Sequence, residues 1–238
     1  MHERLLIDGG DGRALAGAEY NHLLWSDHPR KFGFNIFVRQ DARRQGLGTR
    51  LYRHILQELA GHAPIGFETK TREDWPDGVQ FLENRGYQLV NRQQQSELDP
   101  ASFDAARFAE TMASVAASGL VLKTLGQVLE ADPAALRRLY DLEIAVMPDV
   151  PWYSEMSARP FDQWARSYKD NSDLLTGGYI VALDGEEIAG LSQLWGSQAT
   201  DTLLYTGFTG VKRPYRQCGL ATAMKVRALQ YAQTLVAS

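Results

Sequence analysis

Apolar and polar residues alternate in short runs near both ends of the chain, separated by stretches with apolar positions every three or four residues. Residues 4–8 (Arg-Leu-Leu-Ile-Asp) predict a short strand, which the Gly9-Gly10-Asp11-Gly12 turn reverses into a second strand over 14–25. A polar loop containing Pro29 leads to a third strand over 33–38. Leu47, Leu51, Tyr52, Ile55, Leu56 and Leu59 then fall at helical spacing over 47–60. A strand over 64–70 and a short helix over 77–84 follow, and 87–91 and 93–98 predict two closing strands. Asp99-Pro100 marks a boundary, and an alanine-rich helix over 101–117 predicts a connector. Next come a strand over 120–125 and a helix opened by Asp132-Pro133, cap and first-turn residue, that runs through Leu136, Leu139, Tyr140 and Ile144. Pro148 and Pro151 break that pattern, and 160–169 predicts another helix. Residues 178–183, the Asp184-Gly185 turn and 187–195 repeat the hairpin signal of the N-terminus, before a strand over 203–211 and a helix over 221–235.

One phrase occurs twice within this order. Residues 38–49 read Val-Arg-Gln-Asp-Ala-Arg-Arg-Gln-Gly-Leu-Gly-Thr, and residues 211–222 read Val-Lys-Arg-Pro-Tyr-Arg-Gln-Cys-Gly-Leu-Ala-Thr. Each copy lies between a β-prone run and a helical pattern. A strand, a glycine-bearing turn and a helix start form an anion site, because free backbone N–H groups converge at the positive end of the helix dipole. Arg43 and Arg216 stand 173 residues apart, a spacing that fits a duplicated domain and not a solenoid. The phases of the two copies differ. The first has a strand, a helix and two strands after its phrase helix; the second has a strand and two helices before its hairpin. The expected organisation is therefore an α/β (α+β) chain of two similar domains, 1–99 and 119–238, joined by a connector at 100–118. Their sheets are mixed and mostly antiparallel, and each lacks a part that the other has. Either the sequence is a piece of a longer tandem protein, or the missing strands come from a homodimer partner or from the other unit.

Composition narrows the class. The 238 residues are 44% apolar and 23% charged, as in a soluble globular protein. A net charge of −4 argues against a general nucleic-acid binder. The sequence holds no 18-residue apolar run and no signal-peptide core, so the expected location is cytoplasmic and away from membranes. The single cysteine, Cys218, excludes an intrachain disulfide, and the five scattered histidines show no metal-ligand spacing.

Arg43-Arg44-Gln45-Gly46-Leu47-Gly48 and Arg216-Gln217-Cys218-Gly219-Leu220-Ala221 resemble the Q/R-x-x-G-x-G/A signature of the GNAT superfamily of acyl-CoA-dependent N-acyltransferases. Phe81 to Tyr87 (Phe-Leu-Glu-Asn-Arg-Gly-Tyr) is similar to that family's later motif ending in Gly-Phe. The two-copy order looks like tandem GNAT proteins of the mycothiol synthase-like type. The resemblance implies acetyl-CoA (or another acyl-CoA) as donor and the amine of a small molecule as acceptor. It implies that the backbone of Arg44, Gln45, Gly46, Leu47, Gly48 and Thr49, and of Gln217, Cys218, Gly219, Leu220, Ala221 and Thr222, holds the CoA pyrophosphate. Phe37, Val38, Gly210 and Val211 would pair with the pantetheine arm, and Arg43, Arg44 and Arg216 would add charge-assisted contacts to phosphate.

The catalytic side chains are less legible. Acyl transfer needs a group that takes a proton from the amine, stabilisation of the thioester oxygen, and in many cases an acid for the thiolate. Where the family often has a tyrosine acid, this sequence has Leu82, beside Phe81. Glu19, His22 and Tyr205 are the candidate bases, although the pattern puts Glu19 and His22 at solvent-facing strand positions and Tyr205 in the core. Asp149, Trp152 and Tyr153 fall where the family binds its acceptor. Cys218 has no recognisable His–Asp partner and reads as incidental. The competing class is an acyl-CoA-binding or scaffold protein without turnover.

Overall fold

The computed structural model describes residues 2–10, 12–23, 28–150, 159–198, 200 and 202–236, without the side chains of 167 and 169. The described residues divide into two units, one up to Gln93 and the other from Gln94 onward.

The first unit is a four-stranded sheet in the order β1 (His2–Asp8), β2 (Ala14–His22), β3 (Lys31–Val38), β4 (Gly66–Glu68). The first three strands are antiparallel and β4 is parallel to β3, as the intervening helix α1 (Leu47–Leu59) requires. Alternation in β2 sends Ala16, Ala18 and Tyr20 to one face, where Phe32 and Phe34 of β3 and Leu51, Ile55 and Leu59 of α1 close the core. A second helix, α2 (Pro76–Glu83), adds Leu82 to it. The strands expected at 87–91 and 93–98 do not form. Leu89 and Val90 have strand propensity but remain two-thirds exposed, because β4 is three residues long and gives them no ladder to join.

The second unit is antiparallel throughout: β5 (Val121–Thr124), β6 (Ile180–Asp184), β7 (Glu187–Trp195), β8 (Tyr205–Val211). The expected 101–117 helix is broken. Asp99 and Asp104 accept from the N–H groups of Ala101 and Ala106, each at 2.9 Å, and start separate 3-10 turns, so the α-helix proper, α3, is Ala109–Ala117. Helix α4 (Leu125–Ala131) was not expected. Thr124 caps it in a reciprocal box with Gln127, a signal present in the sequence. Asp132 caps the next turn through the Ala134 N–H, and α5 (Ala135–Val146) follows as the pattern predicts. Helices α6 (Phe161–Lys169) and α7 (Leu220–Val236) complete the unit. One face of its sheet packs on α5 and α6 through Leu139, Leu142, Trp164, Val181 and Leu191; the other receives Val115 of α3 and Leu220, Ala223 and Met224 of α7.

Candidate functional site

Both repeated phrases fold into one backbone shape. Arg39 and Lys212 leave their strands with extended φ/ψ and enter 3-10 turns, Gln40–Ala42 and Arg213–Tyr215. Arg44 and Gln217 are left-handed (φ 62° and 63°), and so are Gly46 and Gly219 (φ 79° and 82°). Two left-handed residues two positions apart curl the chain so that successive N–H groups point inward. The first helical bonds run from the Arg50 N–H to the Gly46 carbonyl and from the Ala223 N–H to the Gly219 carbonyl, both 2.9 Å. The N–H groups ahead of them have no intrahelical acceptor, and no side chain caps α1. Each loop thus has the donors and the dipole direction to hold a phosphate, and glycine keeps side chains away from it.

The motif arginines have internal work. Arg43 Nε donates to the Val38 carbonyl at 3.3 Å, and Arg216 Nε to the Val211 carbonyl at 2.9 Å. Each therefore ties its turn to the end of the strand before it. A carboxylate meets each set. Asp77 of α2 accepts from Arg44 and lies 3.9 Å from Arg43, while Asp149 accepts from Arg216 at 2.6 Å and from Arg213 at 2.7 Å. These bonds hold the Asp149 carboxyl down to about 2. Asp149, read from the sequence as an acceptor contact, is thus engaged with the second phrase; Trp152 and Tyr153 lie outside the described residues. Asp149→Asn should loosen this tie, seen as faster hydrogen exchange across Val211–Gly219, with no change at the first loop.

In the first unit, α2 lies across the start of α1. Arg85 Nη2 donates to Thr49 Oγ1 at 2.8 Å, and its guanidinium sits 3.5 Å from the centre of the Phe81 ring. A Cβ at Gly48 would stand 3.3 Å from Phe81, so that glycine permits the close approach. Beside it, the hydroxyls of Tyr52 and Tyr87 face each other at 3.4 Å, and burial raises the Tyr87 pKa. Strands β3 and β4 pair only from Lys31↔Gly66 to Gly33↔Glu68. Beyond that point Phe34–Val38 keeps β2 on one side and, among the described residues, has no ladder on the other; Phe37 is 59% exposed. An extended ligand arm can pair there, leading to the loop. In the second unit β8, with Gly210 and Val211, is the outermost strand among the described residues.

The candidate bases are dispersed. Glu19 accepts from Asn35 Nδ2 at 3.0 Å and lies 3.7 Å from Arg4, half-buried rather than fully in solvent. His22 packs against Phe32 with ring centres 4.4 Å apart and planes tilted by 45°; burial, then neighbouring positive charge including His62, lowers its pKa. Tyr205 is not in the core: it opens β8 and is 49% exposed, because a strand at the sheet edge has no layer above its first residue. Cys218 is exposed and donates to the Tyr215 carbonyl.

Sequence reasoning missed a buried polar network in the second unit. Glu143 of α5, 8% exposed, accepts from Trp164 Nε1 at 2.7 Å, from Gln193 Nε2 at 2.8 Å and from the Tyr168 hydroxyl. Gln193 Oε1 in turn accepts the Phe208 N–H at 3.1 Å, where the β7–β8 register shifts. Burial raises the Glu143 pKa against the pull of these bonds.

Residues 2–87 match the family model described as Acetyltransferase (GNAT) family. That span holds the first loop, α2 and the parting of β3 from β4. No curated protein matches the chain. Among solved structures, a GCN5-related N-acetyltransferase from Sphaerobacter thermophilus is 16% identical with a TM-score of 0.62, over 98% of this chain and 69% of that one. A tandem GNAT protein from the clavulanic acid biosynthesis pathway gives 16% and 0.62, over 98% and 70%. A glucosamine N-acetyltransferase region of a fungal multi-domain GH3 β-N-acetylglucosaminidase gives 12% and 0.63, and there the chain spans only 29% of the other protein. At these identities the likeness is one of fold. No helix among the described residues is long and apolar enough to cross a membrane, and no group of His, Cys, Asp or Glu among them is placed to hold a metal ion.

Proposed function

We propose that this chain is an N-acyltransferase that moves an acetyl group from acetyl-CoA to the amine of a small molecule by direct attack. The observation that carries the proposal is the first loop opening beside the free edge of β3, within the span that matches the acetyltransferase family. Acetyl-CoA is a substrate here and supplies the activated thioester. The N–H groups from Arg44 to Thr49 would hold its pyrophosphate, and Phe34–Val38 would receive its extended arm as an added strand. The amine nitrogen bonds to the thioester carbon, the carbon–sulfur bond breaks, the amine gives up a proton and the thiolate takes one. The second loop repeats the anion site on β8 and α7, with Arg216 and Asp149 fixing its base.

One observation favours a second reading, acyl-CoA binding without turnover. Leu82 stands where a tyrosine acid is expected and packs into the first unit's core, where it cannot give a proton. Release of free thiol from acetyl-CoA, followed across a panel of small amines, separates the two. The enzyme reading predicts release above the hydrolysis background with at least one amine. Tight CoA binding with background release for every amine supports the scaffold reading, and absence of CoA binding sinks both.

A further inference from the structure

Acyl transfer at the first loop needs an acid, and Leu82 has no proton to give. A free thiol ionises only at about pH 8.5, so the thiolate that leaves the acyl carbon takes up a proton near neutral pH. The edge of β3 says where that proton must come from. An arm whose phosphate end lies at the loop beyond Val38 has its reacting end toward Phe34, where the β3–β4 ladder stops at Gly33↔Glu68. Phe34 to Val38 spans about 13 Å of extended strand, a length that an extended pantetheine arm covers. Two phenols stand at that end. The rings of Tyr52, on α1, and Tyr87, just after α2, lie 5.7 and 5.9 Å from the Phe34 ring, centre to centre. Their hydroxyls are 3.4 Å apart, and both residues keep some exposure, so a ligand can reach them.

The pair has a polarity. Burial first, then the bond to Tyr52, raises the Tyr87 pKa, so Tyr87 keeps its proton and donates it to the Tyr52 oxygen. The Tyr52 proton is then not engaged within the pair. A long O–H···O contact of this kind shortens when the accepting oxygen takes on charge. Arg85 is the charged group that faces the pair: its guanidinium lies 5.2 Å from the centre of the Tyr52 ring, where it favours a phenolate. The other rings against Tyr52, Phe34 and Phe81, carry no charge. Resting on the acyl-transfer reading of the first loop, we propose that Tyr52 is the catalytic acid of that site and Tyr87 its positioning residue. The Tyr52 O–H bond breaks as an S–H bond forms on the departing thiolate, and Tyr87 donates to the phenolate oxygen that remains. The proton given up by the attacking amine, relayed by water, restores the phenol, so the amide and the free thiol are the only products.

Thiol release and acetyl-CoA affinity, measured separately with the amine that the wild type uses best, test this assignment. Tyr52→Phe should lower kcat at least about tenfold, while acetyl-CoA affinity by calorimetry stays within about twofold of the wild type. After subtraction of uncatalysed hydrolysis, wild-type kcat should fall at alkaline pH as the Tyr52 phenol ionises, and Tyr52→Phe should lose that fall. Tyr87→Phe removes a donor to the phenolate and so raises the Tyr52 pKa; the fall should move to higher pH, with a smaller loss of kcat. The double variant should be no slower than Tyr52→Phe, because the two phenols act as one unit. Far-ultraviolet circular dichroism checks that each variant is folded. Unchanged kcat or an unchanged pH profile in Tyr52→Phe overturns the assignment and leaves acyl transfer standing. An unshifted profile in Tyr87→Phe overturns it too, and does so without relying on the Tyr52 variant. A wild type that releases no thiol with any amine removes the acyl-transfer reading itself, and this assignment with it.

Discussion

Replacing Glu143 with leucine should cost the second unit about 2–4 kcal/mol, among the larger effects of any single substitution here. The carboxylate that accepts from Trp164 Nε1 and the Tyr168 hydroxyl is lost at once, and Gln193 Nε2 loses one of its two acceptors, keeping the Tyr168 oxygen at 2.7 Å. Each unsatisfied buried donor costs about 1–3 kcal/mol, and the relief of no longer burying a carboxylate offsets part of the sum. The loss spreads to β8, because Gln193 holds the Phe208 N–H and its amide is oriented by Glu143. Denaturant titration followed by tryptophan fluorescence gives the change in midpoint; a shift within error would mean that the network is not a stability element.

The same carboxyl gives a pH signature. Burial raises its pKa in the folded unit, whereas the unfolded chain ionises it near the ordinary value. Between those two values the folded state binds more protons than the unfolded one. The contribution of Glu143 is therefore fully present below the unfolded value and falls as pH rises through the folded one. Glu143→Gln cannot ionise, so the stability of the wild type relative to that variant should decline on raising the pH above about 4.5. A difference that stays level, or grows, would show that the carboxyl is not held up.

What the sequence revealed and what it hid follow from the range of the interactions. The two loops were legible because their determinants are local: a glycine at the second left-handed position of each, and an arginine five residues after the strand end that it ties back. The three-strand core of each unit was legible for the same reason, through turn residues between alternating runs. Helix α4 has a local signal too, the Thr124 and Gln127 capping box, but at seven residues it is too short to show a helical period. Residues 87–98 show the opposite failure, in which strand propensity exists without a neighbouring ladder to satisfy it. Nothing local marks Glu143. Its partners lie 21, 25 and 50 residues away on α6 and β7, and on an amphipathic helix a glutamate reads as solvent-facing until those elements pack around it.

The loop glycines carry the second large effect, and the two copies should respond differently. At Gly46 a side chain meets no atom within 4 Å, so Gly46→Val is opposed mainly by the left-handed φ of 79°, at about 1–3 kcal/mol. Gly219 has the same φ, but a Cβ there would come within 2.7 Å of Thr111 Cγ2 on α3. Gly219→Val should therefore lower the melting temperature more than Gly46→Val, by several degrees. Binding should show the reverse order. The first loop has both the anion donors and the open edge of β3, so Gly46→Val, which fills the concave side and twists the N–H groups out of line, should weaken acetyl-CoA binding at least about tenfold by calorimetry. Gly219→Val should leave that affinity near the wild-type value while the unit remains folded. If Gly219→Val abolishes binding and Gly46→Val spares it, the acyl donor belongs to the second loop. Unchanged affinity in both variants would mean that neither turn holds the pyrophosphate, and the proposed function would lose its physical basis.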